Sequence, residues 1–199
     1  MERKLLVLDL DETLIYAAPA QLDHRPDFEI PPYFIYKRPH LDEFLAFCAR
    51  TFQVAVWTSA TEDYARAVIV AAFPVDYPLA FVFSRARCTR RYDWQGDDMV
   101  WIKDLKKLKR KGQDLCNIIM IEDSPVNLSR QYGNLVAVTP FIGNAEDREL
   151  CMLIDYLGFL QTVVDVRRSE KRNWRQHDRP RMTNGPPQVP EPRTPNEMK

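Results

Sequence analysis

Asp9 and Asp11 stand one residue apart, directly after the apolar run Leu5-Leu-Val-Leu8. Such a run reads as a buried parallel strand, and ligands of open α/β sheets collect beyond the carboxyl ends of such strands. Carboxylates crowded there raise the cost of each other's ionisation unless a cation or a reaction needs them. Two further apolar runs also close on polar clusters: Phe52–Trp57 on Thr58-Ser59, and Asn117–Ile121 on Glu122-Asp123. In a parallel sheet the three ends share one edge, so residues as distant as 9 and 123 can converge. Lys103 follows Met99-Val-Trp-Ile102 and can reach the same edge. Acids, a hydroxyl and a lysine together suit a phosphate and Mg²⁺. Mg²⁺ prefers one or two carboxylates plus substrate oxygens and waters. A lysine is a compact charge for phosphoryl oxygens, and the Thr58 or Ser59 hydroxyl with a backbone N–H at a helix start can hold another.

The elements that must position these groups alternate between strand and helix. Leu41, Phe44, Leu45 and Cys48 share one face of a helix over 40–51, which opens after Pro39. Ser59 and Glu62 have capping-box spacing and start a helix reaching about Phe73. Leu79–Phe83 and Leu135–Val138 read as strands, 146–163 as a last amphipathic helix, and a short basic helix follows Lys103. Residues 12–38 lack helical period. Phe28–Ile30 and Tyr33–Tyr36 around Pro31-Pro32 predict a β-hairpin flap with Tyr33, Phe34 and Tyr36 in its core, and 85–102 predict a small hairpin. The expected fold is α/β, a doubly wound and mostly parallel sheet.

Composition sets bounds. The 199 residues carry no net charge, yet residues 167–199 hold nine Lys/Arg against four Asp/Glu, so the body is net −5 and the tail +5. The body is therefore not a bulk nucleic-acid-binding surface, and nucleic acid is not the favoured partner. Six prolines and few apolar residues after Arg167 predict a disordered basic tail, and 1–166 form one domain. Cys48, Cys88, Cys116 and Cys151 are scattered without a Cys-x-x-Cys pair, which argues against zinc or a disulfide framework and for a reducing compartment. His24, His40 and His177 are equally dispersed, so acid–base chemistry falls to carboxylates. The first apolar stretch stops at Asp9, too early for a signal peptide, and no run is long enough for a membrane span. A cytoplasmic location is expected, or a nuclear one in a eukaryote.

Asp9-Leu-Asp11-Glu12-Thr13 resembles the signature of haloacid-dehalogenase-type phosphohydrolases. One branch is matched more fully: Tyr36-Lys-Arg-Pro-His40, Val56-Trp-Thr-Ser-Ala60 with Asp63-Tyr64-Ala65, Arg85-x-x-Cys88-Thr89, Val100-Trp-Ile-Lys103-Asp104-Leu105 and Ile121-Glu-Asp-Ser-Pro125. That branch is the RNA-polymerase C-terminal-domain phosphatases, or NLI-interacting-factor-like family, and the likeness spans roughly residues 3–160. The resemblance implies a capless haloacid-dehalogenase-like fold with Asp9 as nucleophile through an aspartyl-phosphate, and Asp11 as acid and then base. It implies Thr58 and Lys103 on the phosphoryl group, and Mg²⁺ held by Asp9, the Asp11 carbonyl and Asp123. Thr13, Arg85 and Glu122 would support them. The family's usual Asp-Asp or Asp-Asn pair is Glu122-Asp123 here, so Glu122 either supports the metal shell or orients Lys103. The Lys103–Glu122 stretch is also about three residues longer than usual.

A phosphatase of phosphoserine or phosphothreonine proteins is the expected activity. Two alternatives stand beside it: a peptide-binding module of the same fold without turnover, and a phosphatase of nucleic-acid ends or small phosphomonoesters. Neither stretch between motifs has room for a cap domain, so an open site that admits a phosphopeptide is expected. The run Lys106-Lys-Leu-Lys-Arg-Lys111 reads as a solvated helix face and Cys88 as a packed small hydrophobe.

Overall fold

The computed structural model describes residues 3–94 and 97–177. In chain order the elements are β1 (Leu5–Leu8), β2 (Ile15–Ala18), β3 (Phe28–Ile30), β4 (Tyr33–Lys37), α1 (Leu41–Thr51), β5 (Gln53–Trp57) and α2 (Glu62–Ala72). They continue with β6 (Leu79–Phe83), β7 (Thr89–Asp93), β8 (Asp98–Ile102), α3 (Lys106–Lys109), β9 (Ile118–Glu122), β10 (Leu135–Ala137) and α4 (Glu149–Leu160). Five strands form a parallel sheet in the order β10-β9-β1-β5-β6. The chain thus has the doubly wound haloacid-dehalogenase-like α/β fold.

The central strands are mostly apolar because both faces of the sheet are covered there. Leu6, Leu8, Val54, Val56, Ile119 and Ile121 face one core with Phe44 and Leu45 of α1 and Leu153 and Leu157 of α4. The alternate residues Leu5, Val7, Ala55, Trp57, Ile118 and Met120 face a second core with Leu105, Leu108 and Leu128. β1 lies at the centre. Its Leu8 is level with Val56 on one side and Ile121 on the other, so Asp9 emerges beside Trp57 and Glu122. The Asp9 N–H donates to the Ile121 carbonyl at 3.1 Å and keeps the first acid in register with the sheet.

The flap is an antiparallel sheet in the order β2-β4-β3, with a turn at Pro31-Pro32 between β3 and β4. Tyr36 belongs to its core: the hydroxyl accepts from the Leu22 N–H at 2.8 Å and donates to the His24 carbonyl at 3.2 Å. Tyr33 does not. It is exposed and stands edge-on to Tyr64 with ring centres 6.3 Å apart. Because β4 alternates its side chains, Tyr33 and Tyr36 fall on opposite faces. β7 and β8 form the expected second hairpin.

Two helices begin later than their periodicity suggests. α2 starts after Thr61, and Ser59 does not cap it; the Thr58 hydroxyl instead accepts the Ala60 N–H at 3.0 Å and holds 58–60 in a turn. α4 starts after Arg148, because Asn144 and Asp147 accept the N–H groups of Glu146 and Glu149 at 3.0 and 2.9 Å in local turns.

The expected tail boundary at 167 is too early. Residues 166–177 make two 3-10 turns, Val166–Arg168 and Trp174–Gln176, folded against the body. Trp174 is 2% exposed, and its indole N–H donates to the Ala137 carbonyl at 2.8 Å. β10 is an edge strand and Ala137 is its last residue, so this contact caps part of an edge that would otherwise stay open. Tyr156 adds a hydrogen bond to the Glu170 carbonyl at 2.5 Å. One large aromatic side chain anchors a segment whose average composition is too polar to predict a core. The rest of the expected tail, 178–199, lies outside the described residues.

Candidate active site

Asp9, Thr58, Lys103, Glu122 and Asp123 come together at the carboxyl edge of the sheet. Lys103 is the pivot. Its ammonium is fully buried and donates to Asp9 Oδ1 at 2.6 Å and to Glu122 Oε2 at 2.5 Å. Its position is fixed from behind, since the Lys103 N–H donates to the Asn127 carbonyl at 2.8 Å. The Asn127 amide in turn donates to Glu122 Oε1 at 3.1 Å, and the Ser124 N–H reaches the same oxygen at 3.3 Å. Both oxygens of Glu122 are therefore occupied. Of the two roles open to Glu122, its contacts are those of a partner of Lys103.

Asp123 lies on the other side of Asp9. Thr13 donates to Asp123 Oδ1 at 3.0 Å and lies 3.5 Å from Asp9 Oδ2, too far for a second bond of normal length. Carboxylate oxygens of Asp9, Glu122 and Asp123 all fall within 4.8 Å of one another. With Glu122 taken by Lys103, Asn127 and Ser124, the acids left to meet a cation are Asp9 and Asp123. A bridge between Asp11 and Ile15 runs through the Leu10 carbonyl and the Glu12 N–H, so the Asp11 carbonyl takes no part in it. The two carboxylates are a hard, all-oxygen donor pair of the kind that would fit Mg²⁺.

The Asp11 side chain turns away from this cluster, and the Tyr64 hydroxyl donates to its Oδ1 at 2.7 Å. Burial pushes its pKa up to about 6; the Tyr64 hydrogen bond opposes this, and the negative charge of Asp9 adds to it. Asp123 is also pushed up to about 6, by burial and then by Asp9, against the Thr13 hydrogen bond. Burial works to strip the proton from Lys103, but the charges and hydrogen bonds of Asp9 and Glu122 hold its pKa above the ordinary lysine value. Burial and Asp9 drive the Glu122 carboxyl upward while Lys103 resists. The cluster is an array of acids around one buried cation, a pattern found at functional sites.

A groove of about 370 Å³ opens beside Asp11, walled by Tyr16, Tyr33, Tyr64, Thr61 and Arg85. The Arg85 Nε donates to the Ser59 carbonyl at 2.5 Å, and the guanidinium lies over the Trp101 ring at 5.3 Å. Arg85 thus ties the turn after β5 to the hairpin and lines the same groove. Cys88 is half-buried against the Thr58 carbonyl at 3.7 Å, and burial raises its thiol pKa, as suits a packed side chain.

Three residues of this site escaped sequence reading. Tyr64 and Asn127 carry the contacts just described. Arg38 is fully buried and forks onto Asp147 at 2.9 and 2.8 Å while donating to the carbonyls of Thr13 and Thr139 at 3.0 and 2.9 Å. It clamps the loop after β1 to the segment after β10. The Tyr36-Lys-Arg-Pro-His40 string was the available signal for Arg38, and Asp63-Tyr64-Ala65 for Tyr64.

Among the described residues no helix is long and apolar enough to cross a membrane. Residues 4–167 match the family model described as NLI interacting factor-like phosphatase. The chain is 31% identical over 172 residues to a protein of Dictyostelium discoideum named probable C-terminal domain small phosphatase, covering 82% of this chain and 53% of that protein. It is 28% identical over 189 residues to nuclear envelope morphology protein 1 of Saccharomyces cerevisiae, covering 83% of this chain and 41% of the relative. The chain thus spans about half the length of these curated relatives. In structure it is similar to Fcp1, an RNA polymerase II CTD phosphatase, with a TM-score of 0.55 and 21% identity over 74% of this chain and 44% of that one. With most of its length matched by that family model, and with the acidic motif after β1, the lysine after β8 and the acid pair at the end of β9 on one sheet edge, the chain belongs to the NLI interacting factor-like phosphatase family.

Proposed function

We propose that the protein is a Mg²⁺-dependent phosphatase that hydrolyses phosphoserine or phosphothreonine in proteins through an aspartyl-phosphate on Asp9. The observation that carries this reading is Lys103, buried between Asp9 and Glu122 at 2.6 and 2.5 Å beside a second acid able to share a cation. A carboxylate attacks a phosphate dianion only if the phosphoryl charge is offset, and Lys103 is placed to offset it.

The steps follow from the groups present. An Asp9 oxygen bonds to phosphorus as the bond to the substrate oxygen breaks, and Asp11 gives that leaving oxygen its proton. Asp11, now ionised, takes a proton from a water that attacks the same phosphorus. The bond to Asp9 breaks, inorganic phosphate leaves, and both acids return to their starting state. A pKa near 6 lets Asp11 serve in both directions, and Tyr64 keeps its carboxyl aimed. Thr58 and Ser59 offer hydroxyls for a further phosphoryl oxygen. Held by Asp9, Asp123 and the Asp11 carbonyl, Mg²⁺ would supply positive charge to the phosphoryl oxygens.

The substrate class follows from access. The groove beside Asp11 is open and aromatic, bounded by the flap on one side and Arg85 on the other, so it admits a side chain on an extended peptide but does not enclose a metabolite. A cytoplasmic or nuclear location accords with four cysteines that form no disulfide among the described residues.

Replacing Asp9 by Asn tests the reading. Turnover of an aryl phosphate and of phosphoserine peptides in Mg²⁺ should fall by at least about a thousandfold with the fold retained. Retention of near wild-type turnover would overturn the mechanism. Faster hydrolysis of a single metabolite than of every phosphopeptide tried would overturn the substrate class.

A further inference from the structure

A second cavity, of about 450 Å³, lies between the β10 edge and the segment 167–175. Arg167, Lys171, Arg172 and Arg175 line it, with Tyr132 and Ser169. None of these residues belongs to the catalytic cluster. Lys171, Arg172 and Arg175 also lie past residue 167, where the family match ends.

Its charges are unevenly matched. Arg175 is engaged by Glu149, with Nε 3.0 Å from Oε2 and a second contact from its terminal nitrogen to Oε1. Glu170 is the acid on the cavity wall, and its Oε1 is bound to the Arg172 N–H at 2.6 Å. Four cations therefore face three acids, Glu149, Glu170 and Asp165. The Lys171 ammonium is half-buried and donates to the neutral carbonyls of Val166 and, at 2.8 Å, Ser169. Burial lowers its pKa, and the charges of Glu170 and Asp165 do not fully offset that. Among the described residues the guanidinium groups of Arg167 and Arg172 have no ion-pair partner, and both residues are exposed. A phosphate group carries close to two negative charges and three acceptor oxygens, which two arginine forks and a lysine can meet together.

We infer that the cavity formed by Arg167, Lys171 and Arg172 against the β10 edge is a second anion site, which takes a phosphate group carried on a phosphorylated protein segment. The ligand class rests on the protein-phosphatase reading; the anion site itself does not. A compact pocket with an acid on its wall suits one phosphate better than a nucleic-acid backbone, which needs a basic stripe.

Two measurements on the full chain test this. In the first, inorganic phosphate and a singly phosphorylated serine peptide are titrated in turn into labelled Asp9→Asn protein. The amide signals of Gly133, Ser169 and Lys171 should shift, and the shifts should vanish when Arg167→Ala and Arg172→Glu are added. In the second, the Arg167→Ala/Arg172→Glu protein is assayed with native Asp9. Turnover of an aryl phosphate and KM for the singly phosphorylated peptide should be unchanged, while KM for a doubly phosphorylated peptide rises about tenfold. Absent shifts would overturn the site. Shifts with inorganic phosphate but not with phosphopeptide, equal KM changes for both peptides, or tighter competition by single-stranded RNA would overturn the ligand class. Shifts with phosphopeptide in the Asp9→Asn protein, when the protein with native Asp9 turns over no phosphopeptide, would sink the catalytic reading and support the site.

Discussion

Lys103 and Lys171 are both drawn out of water, but into different company. Lys103 is wholly buried and meets two carboxylates at 2.6 and 2.5 Å, so its charge is matched within the fold. Lys171 is half-buried and meets carbonyls, with two unpaired arginines nearby. Burial works against the charge of both, yet the pKa of the first stays above the ordinary lysine value and that of the second falls below it. The lesson is that a buried cation marks a finished electrostatic unit where carboxylates contact it, and leaves charge for an incoming anion where its direct contacts are neutral carbonyls.

The largest effect expected is at Lys103. Lys103→Met leaves Asp9 and Glu122 buried without their counterion; it should cost about 3–5 kcal/mol of stability and abolish turnover. Lys171→Met should change stability by less than about 1 kcal/mol and leave aryl-phosphate turnover intact. Urea unfolding of both variants checks this, and equal losses would erase the contrast.

Next come the proton carrier and its support. Asp11→Asn should lower kcat by about 10²–10⁴-fold. Tyr64→Phe should lower it by only about tenfold, since the carboxyl loses one charge-assisted hydrogen bond and not its chemistry. A kcat unchanged in Tyr64→Phe would remove Tyr64 from the mechanism.

Asp123 offers a smaller test, of opposite sign. Its folded pKa of about 6 lies above the ordinary value, so the folded state binds more protons across that interval and stability falls as pH rises through it. In metal-free buffer at neutral pH, Asp123→Asn should therefore melt about 2 °C higher than wild type, with a weaker dependence on pH between 4 and 6. Adding Mg²⁺ should stabilise the wild type and not the variant. The smallest effect is expected from deleting 178–199, which should move stability by less than about 0.5 kcal/mol, whereas Trp174→Ala should cost about 3–5 kcal/mol.

The parts of this molecule visible in its sequence are those written locally. β1, β5 and β9 are uninterrupted apolar runs, and the polar residues that end them had to lie along one sheet edge. Lys103 could be placed there for the same reason. Contacts made by one side chain across the fold were not visible: Asn127 joins the backbone of Lys103 to the carboxylate of Glu122, and Arg38 joins Thr13, Thr139 and Asp147, through geometry that periodicity does not encode. Tyr33 was misplaced because an aromatic in a short strand fits either face until the register is known. The early tail boundary came from averaging: a polar, proline-bearing stretch hid Trp174, whose burial outweighs the composition around it.

The central place of β1 also bears on how the chain is made. Among the strands of this sheet it leaves the ribosome first, and it pairs with β5 and β9, whose residues begin at 53 and 118. At about 5–20 residues per second, one side of an entirely apolar strand waits several seconds for β9 after β5 has been synthesised. Trp174 arrives later still to cover β10. Yield should therefore respond to translation speed and chaperone supply more than the stability of the finished domain suggests, and slower elongation at constant temperature, which lengthens the wait, should lower the soluble fraction.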